Sequence, residues 1–245
     1  MGILNYLQFD DVKSSDFGIY ISGEGTFNAP ERRGEMVNIA GRNGGFFMDE
    51  GVFKNIEVTY PAFNYEPDLA TFRQKLATFR NALNAKSGYM RLTDTFHPDE
   101  FRLAVFRDAF EVKPVMYNTA SELDITFDCK PQRFLVSGET PTTFTASGTI
   151  TNPEKFASSP LLEIVGNGLV TIGDYSFEVS ANTGTVYVDA DIMEAYSISG
   201  GVLVPENGNI VYTNHKPPKI DPGTVSVTLG AGITSVKITP RWWRL

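Results

Sequence analysis

The chain has 245 residues, of which 42% are hydrophobic and 20% charged, so it carries enough apolar material for real cores and is not a disordered chain. That length suits one large all-β domain or two domains of ordinary size. The formal net charge of -8 argues against the phosphate-neutralising surface of a nucleic-acid binder, although it leaves room for a surface past which DNA slides without sticking.

Taken in chain order, the first residues, MGILNYLQFDDVKSSDF, lack a basic region followed by an apolar stretch and meet acids by Asp10. They do not read as a signal peptide. Tyr6 stands where a myristoylation pattern wants Ser or Thr. Leu4, Tyr6 and Gln8 alternate with Asn5, Leu7 and Phe9 in period 2. Further strands are expected over 17–22, 34–40, 52–60, 101–107, 110–116 and 121–128, each rich in Val, Ile, Phe or Tyr and bounded by turn residues. GEG at 23–25 reads as a turn. In AGRNGGFF, Asn43-Gly44 is a type I′ hairpin signal flanked by Val37, Ile39, Phe46 and Phe47.

One segment breaks the pattern. In EPDLATFRQKLATFRNALNAKSG the apolar residues Leu69, Phe72, Leu76, Phe79 and Leu83 recur at alternating spacings of three and four. That predicts an amphipathic helix over about 67–87, opened near Pro67 and closed by Gly88.

Beyond Phe134 the composition changes. VSGETPTTFTASGTITNPEKFASSP is rich in Ser, Thr, Gly and Pro and reads as a linker leading into a first strand from Phe144 to Thr151. Short strands are then expected at 161–165, 168–172, 175–179, 184–189, 194–199, 202–204, 209–213, 224–229 and 234–240. Strands at this density without a helical period indicate a β-sandwich or jelly roll. The expected organisation is therefore an α+β domain over 1–134 and an all-β domain over 135–245.

The chain ends ITPRWWRL, which holds both tryptophans. Neighbours in a strand point to opposite faces. Val236, Ile238, Pro240 and Trp242 then form an apolar face that fills the sandwich core. Lys237, Thr239, Arg241 and Trp243 form the other face, where Trp243 beside Arg241 serves as an interface contact or as partial cover; the equal alternative is that both indoles are simply buried near the chain end.

Few constellations suggest chemistry. The two histidines, His97 and His215, lie far apart in turn-like settings (FHPDE and NHKPP), and neither has a nucleophile signature around it. His97 sits among Asp94, Asp99 and Glu100, which could be imagined as metal ligands but read as a polar loop between strands. In VYVDADIMEAY, Asp189 and Asp191 share a strand face with Glu194 beyond, a pairing that glycosidases and calcium sites use and that solvent faces also show. Cys129 is the single cysteine and reads as a quiet, half-buried thiol; no intrachain disulfide can form, which fits folding in a reducing cytoplasm. No apolar run approaches a membrane span. No catalytic residue, cofactor or metal site is expected.

Several stretches together resemble one family, the distal tail (Dit) proteins of siphovirus-type bacteriophages. EMVNIAGRNGGFFMDEGVFKN is similar to the family's GRNG segment and LTDTFHPDEFRLAVF to its "D…P-x-x-(aromatic)-R-x-A" stretch. ITNPEKFASSPLLEIVGNGLVTIG resembles the opening of its second domain, and VYVDADIMEAY a strand that ends on Asp and is followed by Tyr. PPKIDPGTVSV and ITPRWWRL resemble its closing Pro-Gly turn and its final strand.

The resemblance implies a mainly β fold: an N-terminal α+β split-barrel-like domain with one helix, then a galectin-like β-sandwich. It implies a structural role in the virion, at the distal end of the tail, after synthesis in the host bacterial cytoplasm. Six copies would form a ring through the first domains, leaving a channel through which DNA and the tape-measure protein pass. The expected partners are further copies of the chain, the tail tube protein, the tape-measure protein, and tail-associated lysin, fibre or receptor-binding proteins; no membrane is expected. Arg42, Asn43, Arg241 and Trp243 are the candidate interface residues. A second reading, a carbohydrate-binding module that docks the particle on cell-wall sugars, finds no His-x-Asn-x-Arg set at His97 or His215. A third, a glycosidase using Asp189 and Asp191, rests on those two acids alone.

Overall fold

The computed structural model of the chain describes residues 4–22, 29–107, 111–115 and 119–245. By its contacts the chain divides into two compact units, Met1–Arg133 with Leu245, and Phe134–Arg244. Each has an apolar core of its own.

The first unit runs β1 (Leu7–Phe9), β2 (Val12–Lys13), β3 (Ile19–Ile21), β4 (Arg32–Asn38), β5 (Gly45–Phe53), β6 (Ile56–Tyr65), α1 (Leu69–Asn84), β7 (Met90–Asp94), β8 (Glu100–Val105), β9 (Val112–Val115) and β10 (Ala120–Leu135). One sheet takes the order β2-β1-β7-β8-β10-β6-β3, and β9 also pairs with β10. The pleat decides what is buried. Along β6, Ile56, Val58, Tyr60, Ala62 and Asn64 face inward and their neighbours outward, and along β10 the inward set is Leu123, Ile125, Phe127 and Cys129.

Helix α1 lies within the predicted span. Phe72, Phe79 and Leu83 are buried, Leu76 is partly so, and Phe17 meets the Phe79 ring at 5.4 Å. Its first turn is closed by Asp68, whose side chain accepts from Thr71 N at 2.7 Å. Pro67 therefore stands before the cap rather than inside the first turn. The helix ends at Asn84 with Ala85 as its cap, and Gly88, at φ 83°, shapes the turn beyond.

Some strand expectations shift for local reasons. The expected 17–22 strand begins at Ile19, because Ser14–Phe17 form a 3-10 turn closed by Gly18 at φ 68°. The expected 52–60 strand is two strands broken at Lys54-Asn55. The predicted turn at 23–25 lies outside the described residues. In β1 it is Leu7 and Phe9, not the alternate set, that reach the core.

The second unit runs β11 (Thr142–Phe144), β12 (Gly148–Asn152), β13 (Leu161–Gly166), β14 (Gly168–Ile172), β15 (Tyr175–Val179), β16 (Thr185–Asp189), β17 (Glu194–Ser199), β18 (Val202–Pro205), β19 (Ile210–Tyr212), β20 (Gly223–Leu229), β21 (Ile233–Thr239) and β22 (Trp243–Arg244). Two antiparallel sheets, β11-β21-β13-β16-β17-β18 and β12-β20-β14-β15-β19, form a sandwich. Leu162, Ile164, Val186, Val188, Val236 and Ile238 from the first share one core with Ile150, Val170, Ile172, Phe177, Val179 and Val227 from the second. The chain is mainly β, with one α-helix among the described residues.

Two expectations fail here. The Ser/Thr-rich run after Phe134 is ordered structure, since Val136–Glu139 form a 3-10 helix and β11 follows at once. The expected strand from Phe144 to Thr151 is split, with β11 in one sheet and β12 in the other. Ser147 marks the corner, and its hydroxyl accepts from Leu229 N at 3.1 Å.

The 3-10 helix carries a close approach. A Cβ on Gly138 would lie 2.3 Å from the Trp242 backbone nitrogen, and the Gly138 carbonyl accepts from Arg241 N at 2.8 Å. Nothing flexible is present to yield. Gly138→Ala is expected to destabilise the second unit by about 1–3 kcal/mol, read as a lower urea midpoint; an unchanged midpoint would show that the final segment docks elsewhere.

Candidate assembly surface

Strands β4 and β5 form a two-stranded sheet of their own, hydrogen-bonded to no other strand among the described residues. Their register pairs Val37 with Phe46 and Met36 with Phe47. Beside Arg32 the register shifts. There Gly51, at φ 74°, donates its N–H to Asp49 Oδ1 at 2.8 Å. Gly34 is required by packing, since a Cβ there would meet the Phe47 ring and the Met48 carbonyl.

The ribbon buries almost nothing. Met36 is 63% exposed, Phe46 60% and Met48 54%, with Ile39, Phe47 and Val52 also open to solvent. Polar pairing gathers at the base, where Arg32 meets Asp49 at 2.7 Å, Arg33 meets Glu50 at 2.8 Å and Lys54 meets Glu31 at 3.0 Å. An isolated two-stranded hairpin in water is marginal. Exposed apolar residues concentrated on one element form the kind of patch that marks an interaction surface.

The tip differs from expectation. Asn38 pairs with Gly45, leaving a six-residue loop, 39–44, in place of a two-residue turn. A type I′ turn needs positive φ at both central residues. Asn43 does not adopt it, whereas Gly41 and Gly44 both sit at φ 81°. The reversal starts at Ile39, whose carbonyl accepts from Arg42 N at 3.2 Å. Arg42 and Asn43 are both exposed on this loop.

The other two candidate interface residues are engaged within their own unit. Arg241 sits at φ 56° and bends the chain between β21 and β22. Its guanidinium grips Asp189 with two parallel bonds of 2.7 and 2.8 Å. Trp242 is buried in the sandwich core, as its position in the alternation predicts. The Trp243 indole stacks on Phe156, with ring centroids 4.5 Å apart and planes within 15°, and its Nε1 donates to the Ala157 carbonyl at 3.0 Å. The hairpin pair and the final-strand pair lie in separate units.

The remaining candidates resolve as structure. Strand β16 ends at Asp189, so Asp191 lies in the following turn rather than on the same strand face, and its N–H donates to Asp189 Oδ1 at 3.0 Å. His97 is in the β7–β8 loop with Asp94 at 3.0 Å, while Asp99 faces solvent and Glu100 is buried. No cluster of metal-binding side chains occurs among the described residues. His215, at φ 53°, caps a turn with its N–H on the Tyr212 carbonyl. Cys129 is fully buried rather than half-buried, and burial pushes its thiol up to about 12.

No protein-family model and no curated sequence matches the chain. Among solved structures, the Dit protein of phage SPP1, described as a paradigm of hub adsorption apparatus in phages that infect Gram-positive bacteria, superposes with a TM-score of 0.76. The likeness covers 99% of this chain and 100% of that one at 13% identity. The chain has the fold of a phage Dit hub protein. Chains from the phage P2 baseplate in its activated conformation, with calcium and with strontium, superpose at TM-scores of 0.56 and 0.55. Each covers 96% of this chain and 98% of its own length, at 9% and 10% identity. The mainly β Dit-like architecture that the ordered motifs implied is thus the architecture observed.

The Asp189–Arg241 pair sets an acid limit on the second unit. Burial raises the Asp189 carboxyl, but the Arg241 guanidinium and the Asp191 and Ile192 amides outweigh it and hold it below the usual carboxylate range. A carboxyl depressed in the fold stabilises it above the unfolded pKa, near 4, and that stability is lost as pH falls through the folded value. Wild-type stability should therefore exceed that of Asp189→Asn at pH 7, and the gap should close as pH drops below about 4. Urea midpoints across that range test this, and a gap independent of pH would overturn it.

Proposed function

We propose that the protein is a structural hub of a long-tailed phage tail tip, sitting in the virion at the distal end of the tail after synthesis in the host cytoplasm. It assembles as a ring of six copies that joins the tail tube to the baseplate and host-adsorption apparatus. The observation that carries this reading is the β4–β5 ribbon, a sheet apart from the others whose apolar residues stand exposed among the described residues. The full-length likeness to phage hub and baseplate proteins supports the same reading.

A closed ring uses a heterologous interface, so each copy presents two different complementary patches. The ribbon supplies one of them, laying Phe46 and Met48, which share a face with Val37, against the next copy, with Arg42 and Asn43 reaching across from its tip. The wall of the ring leaves a channel for DNA and the tape-measure protein. The net charge of -8 suits a wall that repels phosphate. Tail tube protein on one side and lysin, fibre or receptor-binding proteins on the other complete the contacts. The work of such a protein is geometric, and no catalytic group is assigned.

Mass by light scattering coupled to size exclusion, with negative-stain images, tests the proposal on the protein alone and mixed with its cognate tail tube protein. Rings with a central hole are expected. Phe46→Asp and Met48→Asp remove apolar surface without touching either core. They should abolish the rings while leaving the melting temperature and circular dichroism unchanged. Rings that survive both substitutions would sink the role given to the ribbon.

A further inference from the structure

Three Asn-Gly pairs occur in the chain, at 43–44, 167–168 and 207–208. Asparagine is a chemically labile residue, and glycine after it exposes the next backbone nitrogen, because no Cβ shields that nitrogen from the preceding carboxamide. All three asparagines are exposed. What separates them is how each carboxamide is held.

Asn167 is clamped at both ends of its amide. Its Oδ1 accepts from the Asn182 N–H at 2.7 Å, and its Nδ2 donates to the Asn182 carbonyl at 2.9 Å. Gly168 opens β14 opposite Val179, and a Cβ there would lie 2.4 Å from the Ala231 carbonyl oxygen, so this stretch of backbone has no room to turn. Asn207 begins the 3-10 turn Asn207–Asn209, and its Oδ1 accepts from the Ala195 N–H of β17 at 2.6 Å.

Asn43 has neither restraint. Its carboxamide makes no hydrogen bond among the described residues, and neither does the Gly44 N–H. Within the loop 39–44 the one backbone bond among the described residues runs from Arg42 N to the Ile39 carbonyl, at 3.2 Å. A Cβ on Gly44 would meet nothing within 4 Å, so the backbone here has space to swing its nitrogen toward Asn43 Cγ.

We propose that Asn43 is a site of spontaneous deamidation, the one Asn-Gly pair of the three at which the native fold permits it. The Gly44 nitrogen gives its proton to solvent and bonds to Asn43 Cγ, and the carboxamide nitrogen leaves as ammonia. Water then opens the resulting succinimide at either carbonyl, giving aspartate or isoaspartate, with no change of oxidation state. Both products place a carboxylate beside Arg42 at the tip of the ribbon, and isoaspartate also inserts an additional carbon into the backbone of the loop joining β4 to β5. The chemistry needs no partner and is independent of the hub role.

The test follows deamidation at each asparagine by tandem mass spectrometry of proteolytic peptides, after incubation of the protein folded and in urea, at neutral and at mildly alkaline pH. In the folded protein Asn43 should convert on the order of tenfold faster than Asn167 or Asn207, which must first open locally. Its rate should rise with pH, because the Gly44 amide must lose its proton. In urea the three should convert at similar rates. Equal rates in the folded protein, or a rate at Asn43 that is far slower folded than in urea, overturn the proposal. Asn43→Gln, whose longer side chain would have to close a larger ring, should remove the fast phase of ammonia release without changing the melting temperature. A fast phase that persists in Asn43→Gln places the labile residue elsewhere and overturns the proposal as well.

Discussion

The first unit is organised around a single ring. Phe127, in the middle of β10, meets Phe9 of β1 at 5.1 Å, Tyr60 of β6 at 6.2 Å and Phe106, just after β8, at 5.6 Å. Offset and edge-on aromatic pairs of this kind add to the burial of apolar area, and together they tie distant parts of the chain to one point. Because β10 pairs with β6 over ten residues, the pleat that turns Phe127 inward also fixes Leu123, Ile125 and Cys129. A one-residue slip would send all of them to solvent.

Much of this was legible in the sequence, and the reason is periodicity. Spacings of three and four placed the helix, and the Phe79 and Leu83 positions it marked for burial are buried completely. Alternation in the final segment placed Val236, Ile238 and Trp242 in the core even though the strand is interrupted, because the bend at Arg241 preserves the alternation of sides. Local signals misled where a neighbouring glycine or a close backbone approach overrode them. The Asn-Gly pair predicted a tight turn, but Gly41 took the left-handed position and lengthened the loop. The Ser/Thr-rich stretch looked like a linker because small polar residues are shared by linkers and by segments packed too tightly for side chains, as at Gly138.

The candidate surface was less legible. Phe46 and Phe47 read as strand residues, and nothing in a single sequence tells an exposed strand from a buried one when both alternate. The signal available was the opposite of the usual one: apolar residues on adjacent positions of β5, Phe46 to Met48, break the inside-outside rule that β6 obeys. The ion pair of Arg241 with Asp189 was also hidden, since 52 residues separate them and nothing local to either residue points to the other.

The buried thiol has a practical consequence. Cys129 is the only cysteine, lies at the centre of a packed core, and keeps its proton far above physiological pH. It is inert to maleimide and to oxidant while the fold stands. A cysteine introduced at Asn43 is then the sole reactive position on the native protein, and a dye attached there reports directly on whether the ribbon's tip is open or covered.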